Sequence, residues 1–217
     1  MSIMLEVWGN YAAFNRAELK TERVSYDCMT PSAARGILEA IYWHPGMRYH
    51  IDSIYVCNPI KTANIRRNEV KEKISARIVK SAMQKQEKDI YLCTTDSIQQ
   101  RAALVLKDVR YVIEAHFDMT DKANASDNPG KFQDILKRRI SKGQCFHTPY
   151  LGVREFPANF RLWDYKQTVP TAYEGEKDLG YMLYDMDYQA EDGIEPMFFH
   201  AILKDGKLDL RNCEVLK

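Results

Sequence analysis

Residues 109–119 read VRYVIEAHFDM. Val109, Tyr111, Ile113, Ala115, Phe117 and Met119 fall on one side of a period-two chain. Arg110, Glu114, His116 and Asp118 fall on the other, with Val112 among them. That alternation is the signature of a strand with one face in a core and one towards water. It predicts a strand reaching back to about residue 101.

Upstream, residues 48–58 (RYHIDSIYVCN) are rich in aromatic and β-branched types and predict a second strand. Before it, TPSAARGILEAIYWHP (30–45) reads as a helix with Thr30 as N-cap and Pro31 at the first helical position. Ala34, Ile37, Leu38 and Ile41 form its buried stripe, and Pro45 stops it. Ile3 to Gly9 (IMLEVWG) reads as the first strand, joined to the helix by a polar loop. Downstream, SDNPGKFQDILKRRISKG (126–143) opens on a cap at Asn128, places Pro129 first and closes on Gly143. Phe132, Ile135, Leu136 and Ile140 line one face of this helix, while Lys137, Arg138, Arg139 and Lys142 crowd the rest. YLGVREFP (150–157) is expected to supply a further strand. The order strand, helix, strand, strand, helix, strand is the split βαβ, α+β ferredoxin-like (RRM-like) arrangement.

The charge is unevenly distributed. The chain has 217 residues and a net charge of +1, yet residues 1–163 hold 25 Lys and Arg against 18 Asp and Glu, and residues 164–217 hold 6 against 12. Asymmetry of this kind points to a polyanion-binding part and an acidic part. Residues 60–89 add nine Lys and Arg against four acids. They read either as a basic arm able to neutralise phosphates or as a solvated helix with a Val70-Ile74-Ile78-Ala82 stripe. In the acidic end, LGYMLYDMDY (179–188) and MFFHAILKDGKLDLR (197–211) predict a small antiparallel sheet turning at Asp205-Gly206. The expected division is therefore 1–163, with a basic insertion at about 60–93, and 164–217.

Several classes are disfavoured. The five cysteines (Cys28, Cys57, Cys93, Cys145, Cys213) include no C-x-x-C pair, so neither a zinc knuckle nor a disulfide framework is indicated. No run approaches the ~18 apolar residues of a membrane span, and MSIMLEVWGN does not read as a signal peptide. A cytoplasmic protein without a membrane partner is expected.

Five ordered motifs then carry a resemblance: ILEAIYWHP (37–45), RRNEV (66–70), LKDVRYVIEAHF (106–117), NPGK (128–131) with its basic helix, and GQCFHTPYLGVREF (143–156). Together, over about Ile3 to Phe199, the chain closely resembles the CRISPR-associated Cas-five family in its subtype I-C (Dvulg-type) form, a group of RAMP proteins. The resemblance implies a ferredoxin-like domain followed by a small β domain. It also implies an endoribonuclease that cuts CRISPR repeat RNA at the hairpin base without a metal or other cofactor. Such a protein then stays on the crRNA 5′ handle with the other subunits of the type I-C interference complex. Metal-free cleavage requires that a ribose 2′-OH lose a proton, that the leaving 5′-oxygen gain one, and that a cation meet the growing phosphate charge.

The family's catalytic tyrosine matches Tyr42 and its lysine matches Lys131, while its histidine position holds Phe132. Phenylalanine moves no proton, so either His147 or His44 substitutes, or Tyr42 and Lys131 act alone at a reduced rate. Arg66, Arg67, Lys137, Arg138, Arg139 and Lys142 are the candidate RNA-backbone contacts. Two other readings stand beside this one. A non-catalytic 5′-handle scaffold is favoured by Phe132. A metal-dependent DNA nuclease would use clustered acids such as Asp185, Asp187, Glu191 and Asp192.

Overall fold

The computed structural model describes residues 2–19, 22–86, 90–190 and 193–217. In chain order its elements are β1 (Ser2–Ala12), β2 (Arg23–Val24), α1 (Pro31–Ile41), β3 (Met47–Val56), β4 (Thr62–Val70), α2 (Ala76–Lys85), β5 (Ile98–Met119), α3 (Pro129–Ser141), β6 (Asn159–Leu162), β7 (Glu176–Asp187), β8 (Glu195–Lys204), β9 (Lys207–Asp209) and β10 (Val215–Leu216). The protein is mixed α/β, with a large antiparallel sheet and few helices.

The strands run in the order β10-β8-β9-β3-β5-β1-β6, with β2 and β4 also on β5 and β7 on β8. The long strand β5 is the spine. It pairs antiparallel with β1 (Leu5 opposite Ile113) on one side and with β3 (Ile54 opposite Ile113) on the other. Strand β9 of the acidic segment pairs with β3, Ile54 opposite Leu208, so the strands of that segment extend the same sheet. Residues 1–63 and 104–217 gather into one compact unit, and residues 64–103 into a second.

The core follows from the alternation. Val109, Tyr111, Ile113, Ala115 and Phe117 of β5 are buried beside Ile3, Leu5 and Val7 of β1. Ile37, Leu38 and Ile41 of α1 and Phe132, Leu136 and Ile140 of α3 complete the same cluster. Val112, which broke the alternation, is buried on the opposite face with Met4 and Trp163.

Both helix starts behave as their caps dictate. Thr30 Oγ1 accepts from Ala33 N at 3.3 Å, and Asn128 Oδ1 accepts from Lys131 N at 2.9 Å. Helix α3 ends with Gly143 at φ +63°, Gly143 N donating to Ile140 O and Gln144 N to Arg139 O. That pair of bonds is a Schellman closure, which favours glycine at the left-handed residue. At the β8–β9 hairpin, Asp205 and Gly206 have φ of 48° and 75°, the primed turn that matches strand twist.

Two expectations need correction. YLGVREFP is not a strand: residues 150–157 are turns with one isolated bridge, Tyr150 to Pro157, and the strand follows at Asn159–Leu162. The reason lies at Gly152, whose φ is +87° and where an added Cβ would stand 2.0 Å from Ala13 O. The chain turns sharply there against the residues that follow β1. In the basic segment, Val70 ends β4 and Ile74 precedes α2, so only Ile78 and Ala82 of the expected stripe are helical.

Candidate active site

Tyr42 is the C-cap residue of α1, with φ −152° and ψ 126°, so the chain leaves the helix extended. Extended backbone sends successive side chains to opposite sides. Tyr42 accordingly turns inward and is 7% exposed, while Trp43 turns outward and is 56% exposed. Tyr49 Oη donates to Tyr42 O at 2.9 Å and fixes this exit. The Tyr42 ring meets Phe132 edge-on at 6.1 Å, and the Arg139 guanidinium lies 5.1 Å above its centroid.

Lys131 stands in the first turn of α3, its backbone N–H held by the Asn128 cap. Its Nζ reaches Asp127 Oδ1 at 2.8 Å, and the other oxygen of that carboxylate lies 3.9 Å from His44 Nε2. His44 Nδ1 accepts from Gly46 N at 3.0 Å, so the neutral ring carries its proton on Nε2, towards Asp127. The imidazole sits 4.9 Å from the Phe132 ring. Lys131, Asp127 and His44 thus form a chain beside Tyr42. Helix α3 and the loop before it bring Lys131 and Asp127, and the end of α1 brings Tyr42 and His44.

Electrostatics tie the group together. Burial raises the Tyr42 hydroxyl pKa, Arg139 and Lys131 pull it down, and Asp127 adds to the rise; the net shift is upward. The hydroxyl therefore keeps its proton at neutral pH and is a donor. Asp127 is held below the ordinary carboxylate range, first by its bond from Lys131 and then by one from the Asn124 backbone.

The other expected residues fall elsewhere. His147 is not part of this chain of contacts. It packs edge-on against Phe146 at 4.3 Å and lines an open groove with Trp43. Lys137, Arg138 and Lys142 are exposed along α3. Arg139 is half-buried, donating from Nη1 to Ile41 O at 2.8 Å, so it closes the end of α1 and covers Tyr42. Arg66 is exposed and Arg67 half-buried on β4. Asp127 was missed by the sequence reading, although its i,i+4 spacing to Lys131 was visible.

Of the acids considered for a metal, Asp185 pairs with Arg35 at 2.8 Å and Asp187 with Lys217 at 2.7 Å, while Glu191 and Asp192 lie outside the described residues. Among the described residues, no group of three or more His, Cys, Asp or Glu is placed to hold a metal ion. No helix among them is long and apolar enough to cross a membrane.

Comparison with known proteins decides the family. Residues 2–211 match the family described as CRISPR-associated protein (Cas_Cas5), in its Cas5d form. The chain belongs to the Cas5 family. This Cas5 chain is 51% identical over 213 residues to the CRISPR pre-crRNA endoribonuclease Cas5d of Mannheimia succiniciproducens, spanning 96% of the chain and 94% of that relative. It is 40% identical over 225 residues to the protein of the same name from Thermus thermophilus, spanning 96% and 90%. Among solved structures it resembles one described as a CRISPR-associated protein, with TM-score 0.72 at 22% identity over 100% of this chain and 97% of the other. That last likeness is one of fold.

Proposed function

We propose that this chain is a metal-independent endoribonuclease that cleaves CRISPR repeat RNA near the base of its hairpin. It then stays on the 5′ handle with the other subunits of the type I-C interference complex. Two relatives named as pre-crRNA endoribonucleases, matched over nearly their whole lengths, support the reading. The observation that carries it is the meeting of Tyr42 and Lys131, 89 positions apart in sequence, around one carboxylate and one imidazole. The order β3-β5-β1-β6, with α1 and α3 packed on one face, supports the ferredoxin-like description of the sheet. Residues 164–217 are kept as its appended β part and 60–93 as its basic insertion.

In this mechanism the 2′-OH releases its proton to solvent water as its oxygen bonds to the adjacent phosphorus, and the P–O5′ bond breaks. Lys131 meets the charge growing on the phosphate oxygens. Tyr42, protonated at neutral pH, donates to the departing oxygen, and Arg139 holds its ring. His44 takes the place left by Phe132: its Nε2 faces the same carboxylate as Lys131, and a phosphate arriving there meets both donors. The exposed Lys137, Arg138 and Lys142, with Arg66 and Arg67, grip the RNA backbone.

The test is cleavage of the chain's repeat hairpin RNA in excess EDTA. It is run beside an RNA bearing one 2′-deoxy nucleotide at the cut and beside a Tyr42→Phe/Lys131→Ala variant. Specific cleavage that the deoxy sugar and the variant both abolish supports the enzyme. Phe132 favours one competing reading, a non-catalytic scaffold, and tight binding with no cut in any lane would establish that instead.

A further inference from the structure

Trp43, Phe146 and Tyr150 are 56%, 75% and 40% exposed, and all three line one open groove of about 720 Å³ with His147, Arg154 and Glu39. A groove of this size lies within the roughly 300–1,000 Å³ of small-ligand sites. We propose that it is a stacking platform for unpaired nucleotides that flank the hairpin. This inference rests on the ribonuclease reading above.

Three features select that occupant. First, no Leu, Ile, Val or Met among the described residues lines the groove; apart from Ala40 its apolar side chains are aromatic, and a ring offers its face to any base regardless of sequence. Second, the polar lining suits a phosphate-bearing strand. Arg154 is exposed and no carboxylate among the described residues pairs with it, while the single acid, Glu39, lies 3.7 Å from Arg35. Third, the groove adjoins the candidate catalytic tyrosine along the chain. Trp43 follows Tyr42 directly, on the opposite side of an extended backbone, so a strand leaving the cut has a platform one residue away along the chain. Phe146 N and His147 N both donate to Ala40 O, at 2.9 and 3.1 Å, which ties the far wall to the last turn of α1. Such a preformed site loses little ordering entropy when a strand binds. His147 is then a groove residue, placed to donate to a phosphate or base edge.

The experiment measures affinity in the non-cleaving Tyr42→Phe/Lys131→Ala background. The probes are a CRISPR repeat transcript with single-stranded flanks on both sides, and the same RNA trimmed to the hairpin. Trp43→Ala/Phe146→Ala is expected to raise Kd for the flanked RNA by at least the roughly 5- to 150-fold of one lost base–aromatic stack. Binding of the trimmed hairpin is expected to stay within about twofold, with Trp43→Phe alone restoring most of the flanked-RNA affinity. Both rings are at the surface, and thermal melting confirms that the variant remains folded. Unchanged Kd for the flanked RNA overturns the proposal, as does an equal loss on both RNAs. Normal RNA binding with failed assembly into the complex also overturns it and assigns the groove to protein. Failure of the wild type to cleave in EDTA would sink the ribonuclease reading and leave this affinity comparison standing.

Discussion

Placing a histidine at position 132 by Phe132→His is expected to damage this protein rather than improve it. The Phe132 side chain is fully buried, 4.9 Å from the His44 ring, 6.1 Å from Tyr42 and 6.3 Å from Phe117. Phe→Ala in a core costs about 3–5 kcal/mol. Because an imidazole keeps part of the ring volume, about 2 kcal/mol of that loss is expected here. Burying ring nitrogens with no partner adds about 1–3 kcal/mol. For a chain of this length each kcal/mol moves Tm by roughly 2–4 °C, so Tm falls by about 6–20 °C.

The defect has a definite pH dependence. An apolar site holds the introduced histidine neutral, below its ordinary pKa of about 6.5, so the unfolded chain binds the proton more readily. Stability is then lost as pH falls below that value, and the gap from wild type widens by about 1.4 kcal/mol between pH 7.5 and 5.5. Thermal melts of both proteins at the two pH values measure this, with cleavage assayed alongside at a permissive temperature. Cleavage is not expected to rise, because a buried imidazole cannot reach RNA. A Tm within about 2 °C of wild type, with the same gap at both pH values, would refute the packing argument. The histidine would then reach solvent, and the role given to His44 would fall with it.

Asp127→Asn removes the charge that holds Lys131 and competes with phosphate. The expected outcome is a split, with KM lower and kcat down roughly ten- to hundredfold from lost positioning; parallel changes in both would remove Asp127 from the site. Lys137→Ala/Arg138→Ala/Lys142→Ala is expected to reduce the slope of log K against log salt by about 2–3 at unchanged Tm, measured by RNA titration across salt. An unchanged slope would mean that this face of α3 does not meet RNA. Glu6, 1% exposed, is bound by Arg110 Nε at 2.6 Å and by Arg161. Burial raises its pKa, but the two guanidinium groups outweigh burial and leave it below its ordinary 4.5. Its contribution is therefore present above pH 4.5 and lost as pH falls through the lower folded value. Wild-type Tm should drop more steeply below pH 4.5 than that of Glu6→Gln, and parallel acid limbs would contradict this.

Local rules carried much of the reading. The period-two stretch at 109–119 names the face of β5 that enters the core, because side-chain alternation follows from strand geometry alone. Thr30, Asn128 and Gly143 mark helix ends because capping is satisfied within a few residues. Tyr42 and Lys131 were found by motif, since their spacing of 89 residues follows no local period.

What remained needed long-range contact. Val112 is buried because Met4 and Trp163 cover the second face of the sheet, which alternation within β5 cannot reveal. YLGVREFP has strand composition, yet Gly152 turns against Ala13, a neighbour 139 positions away. Arg139 resembles its neighbours Arg138 and Lys137 in sequence, but only Arg139 points at the open end of α1 and the Tyr42 ring. His44 and His147 were equal candidates by composition. The packing of α3 against the end of α1 placed one beside Lys131 and Asp127 and the other in the aromatic groove. Periodicity and capping are properties of a short length of chain and can be read from it. A proton-handling site is assembled from groups on separate elements, so only the tertiary fold decides which side chains share it.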